Sequence, residues 1–145
     1  MADRRDALLG LGALGGLLAG LRGLFAGAPA QAATAYEVIR TEAQWRKLLT
    51  SEQFHVLRQA GTERPFSSPL NKEKRAGVFS CAGCGLPLFA SRTKFDSGTG
   101  WPSFWQPLDN AVDQTVDSTL GMRRVEVLCH RCGGHLGHVF EDGPK

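Results

Sequence analysis

The chain has 145 residues, of which 42% are hydrophobic and 21% are charged, and its formal net charge is +3. That length fits one small domain, and a nearly balanced charge without a basic stripe argues against nucleic acid as a partner. All four cysteines lie in two matching pairs between positions 81 and 132, so none is left over for chemistry, and a thiol-based reaction would need a nucleophile from outside this sequence.

Residues 1–35 have the three-part layout of an export signal. Arg4 and Arg5 come before an apolar, glycine-rich run, and Ala-x-Ala patterns would allow cleavage after Ala32 or Ala35. The paired arginines followed by leucines are similar to a twin-arginine signal. We therefore expect export to the periplasm. An uncleaved leader that anchors the protein to the membrane is the alternative.

Residues 36–145 are predicted to form one mainly β, α+β domain that begins with two short helices. Thr41 with Gln44, and Thr50 with Gln53, each fit a capping box, in which threonine and glutamine three positions apart satisfy the first backbone amides of a helix. The side chains predicted to face the core are Trp45, Leu48, Leu49, Phe54 and Leu57.

The rest of the domain reads as loop and then β-structure. Gly61 to Ser68 is predicted to be a loop, because it contains Pro65 and two serines. After Gly77, short apolar runs alternate with turn residues, which is typical of antiparallel strands. These runs are Val78-Phe79, Leu86–Phe89, Phe104-Trp105, Val125–Leu128 and Val139-Phe140.

The four cysteines form two matching turns, Cys81-Ala-Gly-Cys84-Gly and Cys129-His-Arg-Cys132-Gly. Two such pairs supply the four sulfur ligands of a structural zinc ion, and the glycine after each pair suits a positive-φ turn. Two disulfides or a redox-active pair are the alternatives. His130, inside the second pair, is interpreted as a turn residue.

Two further clusters are candidates for chemistry. The stretch 94–105 carries aromatic residues between glycines and a proline, and either forms the wall of a pocket or covers the core beneath a loop. His135 and His138 are three positions apart and can face one site, where imidazoles exchange protons near neutral pH. Asp142 is an acidic neighbour that can orient an imidazole. Alternatively, His135 supplements the metal site.

Taken together, these residues resemble the type B methionine sulfoxide reductases, which reduce the R epimer of methionine sulfoxide. The resemblance runs from Glu63 to Pro144 and covers most of the predicted domain. The matching pieces, in order, are Gly61-Thr-Glu-Arg-Pro-Phe66, Cys81-x-x-Cys84, Pro87-Leu-Phe89, Lys94-Phe-Asp-Ser-Gly-x-Gly-Trp101-Pro-Ser-Phe104, Asp117-Ser118, Gly121-Met-Arg-Arg-Val-Glu126-Val, Cys129-x-x-Cys132 and His135-Leu-Gly-His138-Val-Phe-x-Asp142-Gly-Pro144.

The resemblance implies a β-tent fold of two small antiparallel sheets, with short N-terminal helices and a structural zinc site. It implies that Trp101, with Phe104 in the same motif, binds the substrate's methyl group. His135, His138 and Asp142 would hold and help to protonate the sulfoxide oxygen. The implied partners are oxidised proteins or peptides and a thioredoxin-like reductant, and we expect a monomer.

The sequence departs from the family pattern in its thiols. Family members carry the attacking cysteine in an Arg-Tyr-Cys-x-Asn-Ser segment beyond Asp-Gly-Pro, whereas this sequence ends at Lys145. Thr99 occupies the position of a frequent recycling cysteine. We therefore expect a truncated and inactive reductase. The alternative is a non-catalytic, zinc-containing module of the same fold that binds small ligands in an aromatic cage.

Overall fold

The computed structural model describes residues 35–141 and residues 143 and 144. The leader prediction therefore lies outside the described residues, as does Asp142. Within the described residues, no helix is long and apolar enough to cross a membrane. The elements in chain order are α1 (Glu42–Leu48), α2 (Ser51–Gln59), β1 (Val78–Ser80), β2 (Pro87–Ala90), β3 (Lys94–Phe95), β4 (Ser103–Phe104), β5 (Val112–Asp117), β6 (Arg124–Cys129) and β7 (His135–His138), with 3-10 turns at Pro69–Lys72, Ser91–Thr93 and Thr119–Gly121.

Both helices begin where the capping boxes predict. The Thr41 hydroxyl accepts a hydrogen bond from the Gln44 amide at 3.3 Å, and the Gln44 side chain accepts one from the Thr41 amide at 2.8 Å. Thr50 and Gln53 repeat the arrangement at 3.2 and 3.0 Å. Each box satisfies backbone amides that have no partner inside the helix, so two adjacent short helices have defined starting points.

The predicted buried faces of the helices are confirmed except at one position. Trp45, Leu49, Phe54 and Leu57 are buried, whereas Leu48 is 59% exposed. At 3.6 residues per turn, Leu49 lies about 40° to one side of Trp45 and Leu48 about 60° to the other. Leu49 also leaves the helix in an extended conformation. A helix of seven residues buries one narrow row, and Leu48 falls outside it.

The predicted fold class is confirmed, since small antiparallel sheets follow the two helices. The seven strands form three sheets where two were expected: β1 with β2, β3 with β4, and the order β5-β6-β7. Strand β5 was not predicted, because its sequence Val-Asp-Gln-Thr-Val-Asp has only two apolar residues. The run Val139-Phe140 was predicted as a strand but lies just beyond β7.

The helices pack directly on the cysteine turns. A side-chain carbon added at Gly83 would lie 3.4 Å from the Trp45 ring, and one added at Gly134 would lie 3.1 Å from Leu57. Arg58 stacks on Trp45 at 4.9 Å and donates a hydrogen bond to the carbonyl of Cys132 at 3.0 Å. Three of the four cysteines belong to the same buried cluster as the helix side chains. The core of this small domain is therefore centred on its sulfur atoms.

Replacing Trp45 by alanine should lower the free energy of unfolding by about 3–5 kcal/mol, because a large buried side chain is lost next to the cysteine turns. Leu48→Ala is the matched control on the same helix, and it should change stability by no more than about 0.5 kcal/mol because Leu48 is exposed. Urea unfolding followed by circular dichroism measures both values. Similar losses for the two variants would contradict this account of the core.

Candidate functional site

The two cysteine turns have the same backbone hydrogen bonds. The carbonyl of Cys81 accepts from the amide of Gly85, and the carbonyl of Cys129 accepts from the amide of Gly133, both at 2.8 Å. The amides of the same two cysteines donate to carbonyls five residues further on. Both glycines have positive φ, 74° and 65°, which confirms the turn conformation predicted from their position. Each turn thus directs two sulfurs to one side.

The turns bring all four sulfurs together. The Sγ atoms of Cys81 and Cys132 are 3.8 Å apart, those of Cys84 and Cys129 are 3.5 Å apart, and all four lie within 4.8 Å of one another. Zinc–sulfur bonds of about 2.3 Å place the corners of a tetrahedron about 3.8 Å apart. The cluster therefore fits a tetrahedral metal ion. A disulfide needs sulfurs about 2.05 Å apart, and the cysteines are free.

Thiol ionisation within the cluster also suits a cation. Hydrogen bonds from the neighbouring thiols of Cys129 and Cys132 lower the pKa of Cys81 to about 3. The pKa of Cys132 moves in the opposite direction, raised by its hydrogen bonds to Cys129 and Cys81. The first thiolate of the cluster therefore forms easily, whereas further ionisation is opposed by the negative charge already present. A bound dication would remove that opposition.

Cys129 ends β6 and His135 begins β7, so the second cysteine turn is also the hairpin connection between these strands. Along a regular strand, residues three apart point to opposite faces. Here the β6–β7 register shifts between Val127 and Leu128, and Gly137 adopts a φ of 140°. This bulge supplies one extra residue, so that His135 and His138 come together, with ring centroids 5.3 Å apart and planes at 64°. The bulge thus places the two rings next to each other, and their joint role in one site stays a prediction.

Each histidine is hydrogen-bonded to a carboxylate that the sequence did not single out. Nδ1 of His135 is 2.6 Å from Glu126, and Nε2 of His138 is 2.9 Å from Asp117. Asp117 also accepts hydrogen bonds from Thr119 and Arg124, and these contacts, led by Thr119, hold its pKa far below the usual range. Asp117 and Glu126 both lie in pieces of sequence that match the family. Their contact with the histidines depends on how the strands pair, and the sequence alone does not reveal that pairing.

The histidines are separate from the metal-capable group. Among the described residues, that group contains the four cysteines and no histidine, so the alternative in which His135 supplements the metal site is not supported. His130 has its own partner, since its Nδ1 lies 2.8 Å from Asp113 while the ring is about half exposed. This matches its interpretation as a turn residue.

The aromatic residues of the 94–105 stretch have different environments. The Trp101 indole donates a hydrogen bond to the carbonyl of Glu63 at 2.8 Å and is 36% exposed, while Trp105 is 53% exposed. Phe104 is half-buried and packs on Phe89 and Phe79, with centroids 4.4 and 4.9 Å away. The two indoles are therefore accessible at the surface, whereas Phe104 packs against the β1–β2 sheet.

The C-terminal stretch returns to the strands that carry this aromatic loop. A side-chain carbon added at Gly143 would lie 3.6 Å from the Phe95 ring, and Phe95 pairs with Ser103 across β3 and β4. Gly143 follows His138 by five positions, and Ser103 follows Trp101 by two. Gly143 therefore lies in van der Waals reach of β3, which pairs with the strand that follows the tryptophan loop.

Comparison with known proteins agrees with this arrangement. The SelR domain matches residues 49–145. A relative from Leptospira interrogans is 54% identical over 111 residues, covering 76% of this chain and 85% of its own, and one from Methanosarcina barkeri is 57% identical over 108 residues, covering 74% and 76%. A third, from Agrobacterium fabrum, is 53% identical over 112 residues, covering 77% and 83%. All three are named peptide methionine sulfoxide reductase MsrB.

The chain belongs to the MsrB family. The match to the SelR domain includes both cysteine turns, the tryptophan loop and the histidine strand, and it begins at Leu49, directly after α1. This is a family of enzymes that reduce methionine sulfoxide. The predicted relationship is thereby confirmed.

In this MsrB-family domain, Gly137→Ala should separate the two histidines. Space is not the obstacle, because none of the described residues comes within 4 Å of a carbon added there, but φ of 140° strains any other residue by about 1–3 kcal/mol. Gly77 is the matched control, being equally open without a positive φ. We expect Gly137→Ala to lose the nuclear Overhauser effects between the rings and Gly77→Ala to keep them. Retention in both variants would contradict the role of the bulge.

Proposed function

We propose that this domain acts on methionine-R-sulfoxide in oxidised proteins or peptides, and that the attacking thiolate is not one of its four cysteines. The observation that carries the proposal is the pairing of two carboxylate-bound histidines on one hairpin whose connecting turn belongs to the sulfur cluster. The two imidazoles can hold the oxygen of a sulfoxide, while all four thiols belong to the sulfur cluster.

The reaction transfers one oxygen atom between two sulfurs. A thiolate attacks the sulfoxide sulfur, the oxygen is protonated, and methionine leaves with two more electrons while the thiol becomes a sulfenic acid. A second thiol then displaces water to form a disulfide, which a thioredoxin-like reductant returns to two thiols. His135 and His138 would hold the oxygen and supply protons, and the exposed Trp101 indole would contact the methyl group. Asp142 is proposed to assist them.

Zinc is the metal that we propose for the cluster, with Cys81, Cys84, Cys129 and Cys132 as ligands. Four thiolates in a tetrahedron are a typical structural zinc set, and the distances between the sulfurs support it. When bound, the ion would tie the turn before β2 to the turn between β6 and β7.

Purified protein should contain one zinc per chain, surrounded by four sulfurs at about 2.3 Å in X-ray absorption. Cys129→Ser should lose the metal and unfold at much lower temperature, because metal binding in so small a domain is coupled to folding. Ser80→Ala, an exposed neighbour of the first turn, should retain both. A nitrogen ligand in the absorption data, or a folded Cys129→Ser protein without metal, would contradict the ligand set.

The polypeptide 1–145 alone is expected not to reduce methionine-R-sulfoxide, because its four thiols are engaged in the sulfur cluster. Imidazoles and carboxylates move protons but do not form the sulfur–sulfur bond, and without a reacting group little catalysis remains. Methionine-R-sulfoxide should therefore not be turned over with dithiothreitol, and a family-type Arg-Tyr-Cys-x-Asn-Ser segment joined after Pro144 should restore turnover. In that thiol-bearing form, Trp101→Ala should mainly raise KM and His138→Ala should mainly lower kcat, by about 10²-fold or more.

The control for this series is the same extended protein with serine in place of the cysteine of the added segment, and it should remain inactive. Turnover by the unmodified chain that disappears when one of its own cysteines is replaced, with zinc retained, would show that the thiol has been misassigned.

A second candidate function is binding without catalysis. It is favoured by the surface-exposed indoles of Trp101 and Trp105 and by the engagement of all four thiols in one cluster. Isothermal titration with a methionine sulfoxide peptide separates the two functions: saturable binding by a thiol-bearing form that still shows no turnover supports the binding module.

For location, we propose export to the periplasm through Arg4 and Arg5, in the folded state, because a metal domain benefits from loading its ion before entering an oxidising compartment. Replacing both arginines by lysine should leave the protein in the cytoplasm, as seen by cell fractionation. Unchanged export would exclude the twin-arginine route, and a membrane-bound, uncleaved form would favour the anchor. A monomer is proposed at either location.

A further inference from the structure

Two carboxylates bind opposite nitrogen atoms of the paired histidines. Glu126 contacts Nδ1 of His135, whereas Asp117 contacts Nε2 of His138. The rings are also largely shielded from solvent, since the side chains of His135 and His138 retain 7% and 15% exposure. The nitrogen that makes no carboxylate contact is therefore Nε2 in His135 and Nδ1 in His138.

The network around Asp117 determines the direction of its bond to the imidazole. The amide and hydroxyl of Thr119 donate to Oδ1 at 2.9 and 2.7 Å, and Arg124 donates to Oδ2 at 2.8 Å. Three donors on one group keep it ionised. An ionised carboxylate can only accept a hydrogen bond, so Nε2 of His138 must carry the proton that it shares with Oδ2. Oε1 of Glu126 lies 2.6 Å from Nδ1 of His135, and a carboxylate in that position accepts the hydrogen bond, so the same rule assigns a proton to Nδ1 of His135.

We propose that Glu126 and Asp117 are positioning residues that fix opposite tautomers of the two imidazoles, so that Nε2 of His135 and Nδ1 of His138 are presented to the substrate. The identity of that substrate rests on the proposed function; the tautomers do not. Neither carboxylate need touch the substrate, because each acts through the ring that it binds.

The arrangement matches the proton requirement of the reaction. Transfer of the oxygen from the sulfoxide to a thiolate, which gives methionine and a sulfenic acid, consumes one proton, and displacement of that oxygen as water by a second thiolate consumes another. Each presented nitrogen can donate one of these protons when its ring is charged. After donation, His135 keeps its proton on Nδ1 and His138 keeps its proton on Nε2, each facing its carboxylate. Both rings thus return to the neutral tautomer from which they can be protonated again at the presented atom.

A purely structural role for the carboxylates predicts something different, namely altered stability without a change at a specific ring nitrogen. The domain contains a matched control. Asp113 binds Nδ1 of His130 at 2.8 Å on the same sheet, but at the cysteine turn. Asp113→Ala removes a comparable histidine–carboxylate pair and should leave the spectra of the other two rings unchanged.

The test is ¹⁵N nuclear magnetic resonance of histidine-labelled metal-loaded protein, on the alkaline side of the ring titrations. Wild type should show His135 protonated at Nδ1 and His138 protonated at Nε2. Glu126→Ala should shift the pattern of His135 alone, and Asp117→Ala that of His138 alone. Glu126→Gln and Asp117→Asn, whose amide oxygens can still accept, should restore the wild-type pattern.

The same tautomer in both wild-type rings would overturn the proposal, and so would an unchanged His135 pattern in folded Glu126→Ala protein. If an alanine variant fails to fold, the wild-type spectrum decides the matter. In the thiol-bearing form, Glu126→Ala should lower kcat at least 10-fold with little change in KM. If the spectra show the predicted tautomers but the thiol-bearing form does not reduce methionine sulfoxide, the proposed function is refuted and the proposal on the tautomers still stands.

Discussion

Convergence of four sulfurs from two distant turns is the constraint on which the rest of the structure depends. The turns are separated by more than forty residues, and the helices pack on both of them through Trp45 and Leu57. The domain has few large buried side chains, so hydrophobic burial alone leaves a small fold marginal. A metal held by the cluster would close this long loop and order the core around it.

The same cluster determines the geometry of the histidine site. Strand β6 ends in Cys129 and carries Glu126 three residues earlier, while the turn that follows leads from Cys132 to His135. A slip of one residue in this hairpin would move every side chain to the opposite face. Sulfurs fixed at the turn therefore fix the register, and the bulge at Gly137 then adjusts His138. A metal ion held by the four sulfurs would therefore act on the histidine site through the β6–β7 hairpin, which supplies two of them.

Local features were predictable from the sequence, and long-range ones were not. Capping boxes and Cys-x-x-Cys-Gly turns are encoded within a few residues, so both were found in the expected places. Strand β5 was missed because its apolar content is low, and Leu48 was misplaced because a short helix buries a single row. Asp117 and Glu126 became recognisable as histidine partners only when the pairing of three strands was known.

Amide hydrogen exchange with and without metal tests the link between the sulfur cluster and the site most directly. Removing the ion with a chelator under reducing conditions should abolish protection along β6 and β7 together with that of the cysteine turns. The bond from the Val139 amide to the Val125 carbonyl, 2.9 Å long, reports on the far end of the hairpin. Retained protection at Val139 after complete metal removal would contradict the account, because the hairpin would then keep its register without the cluster.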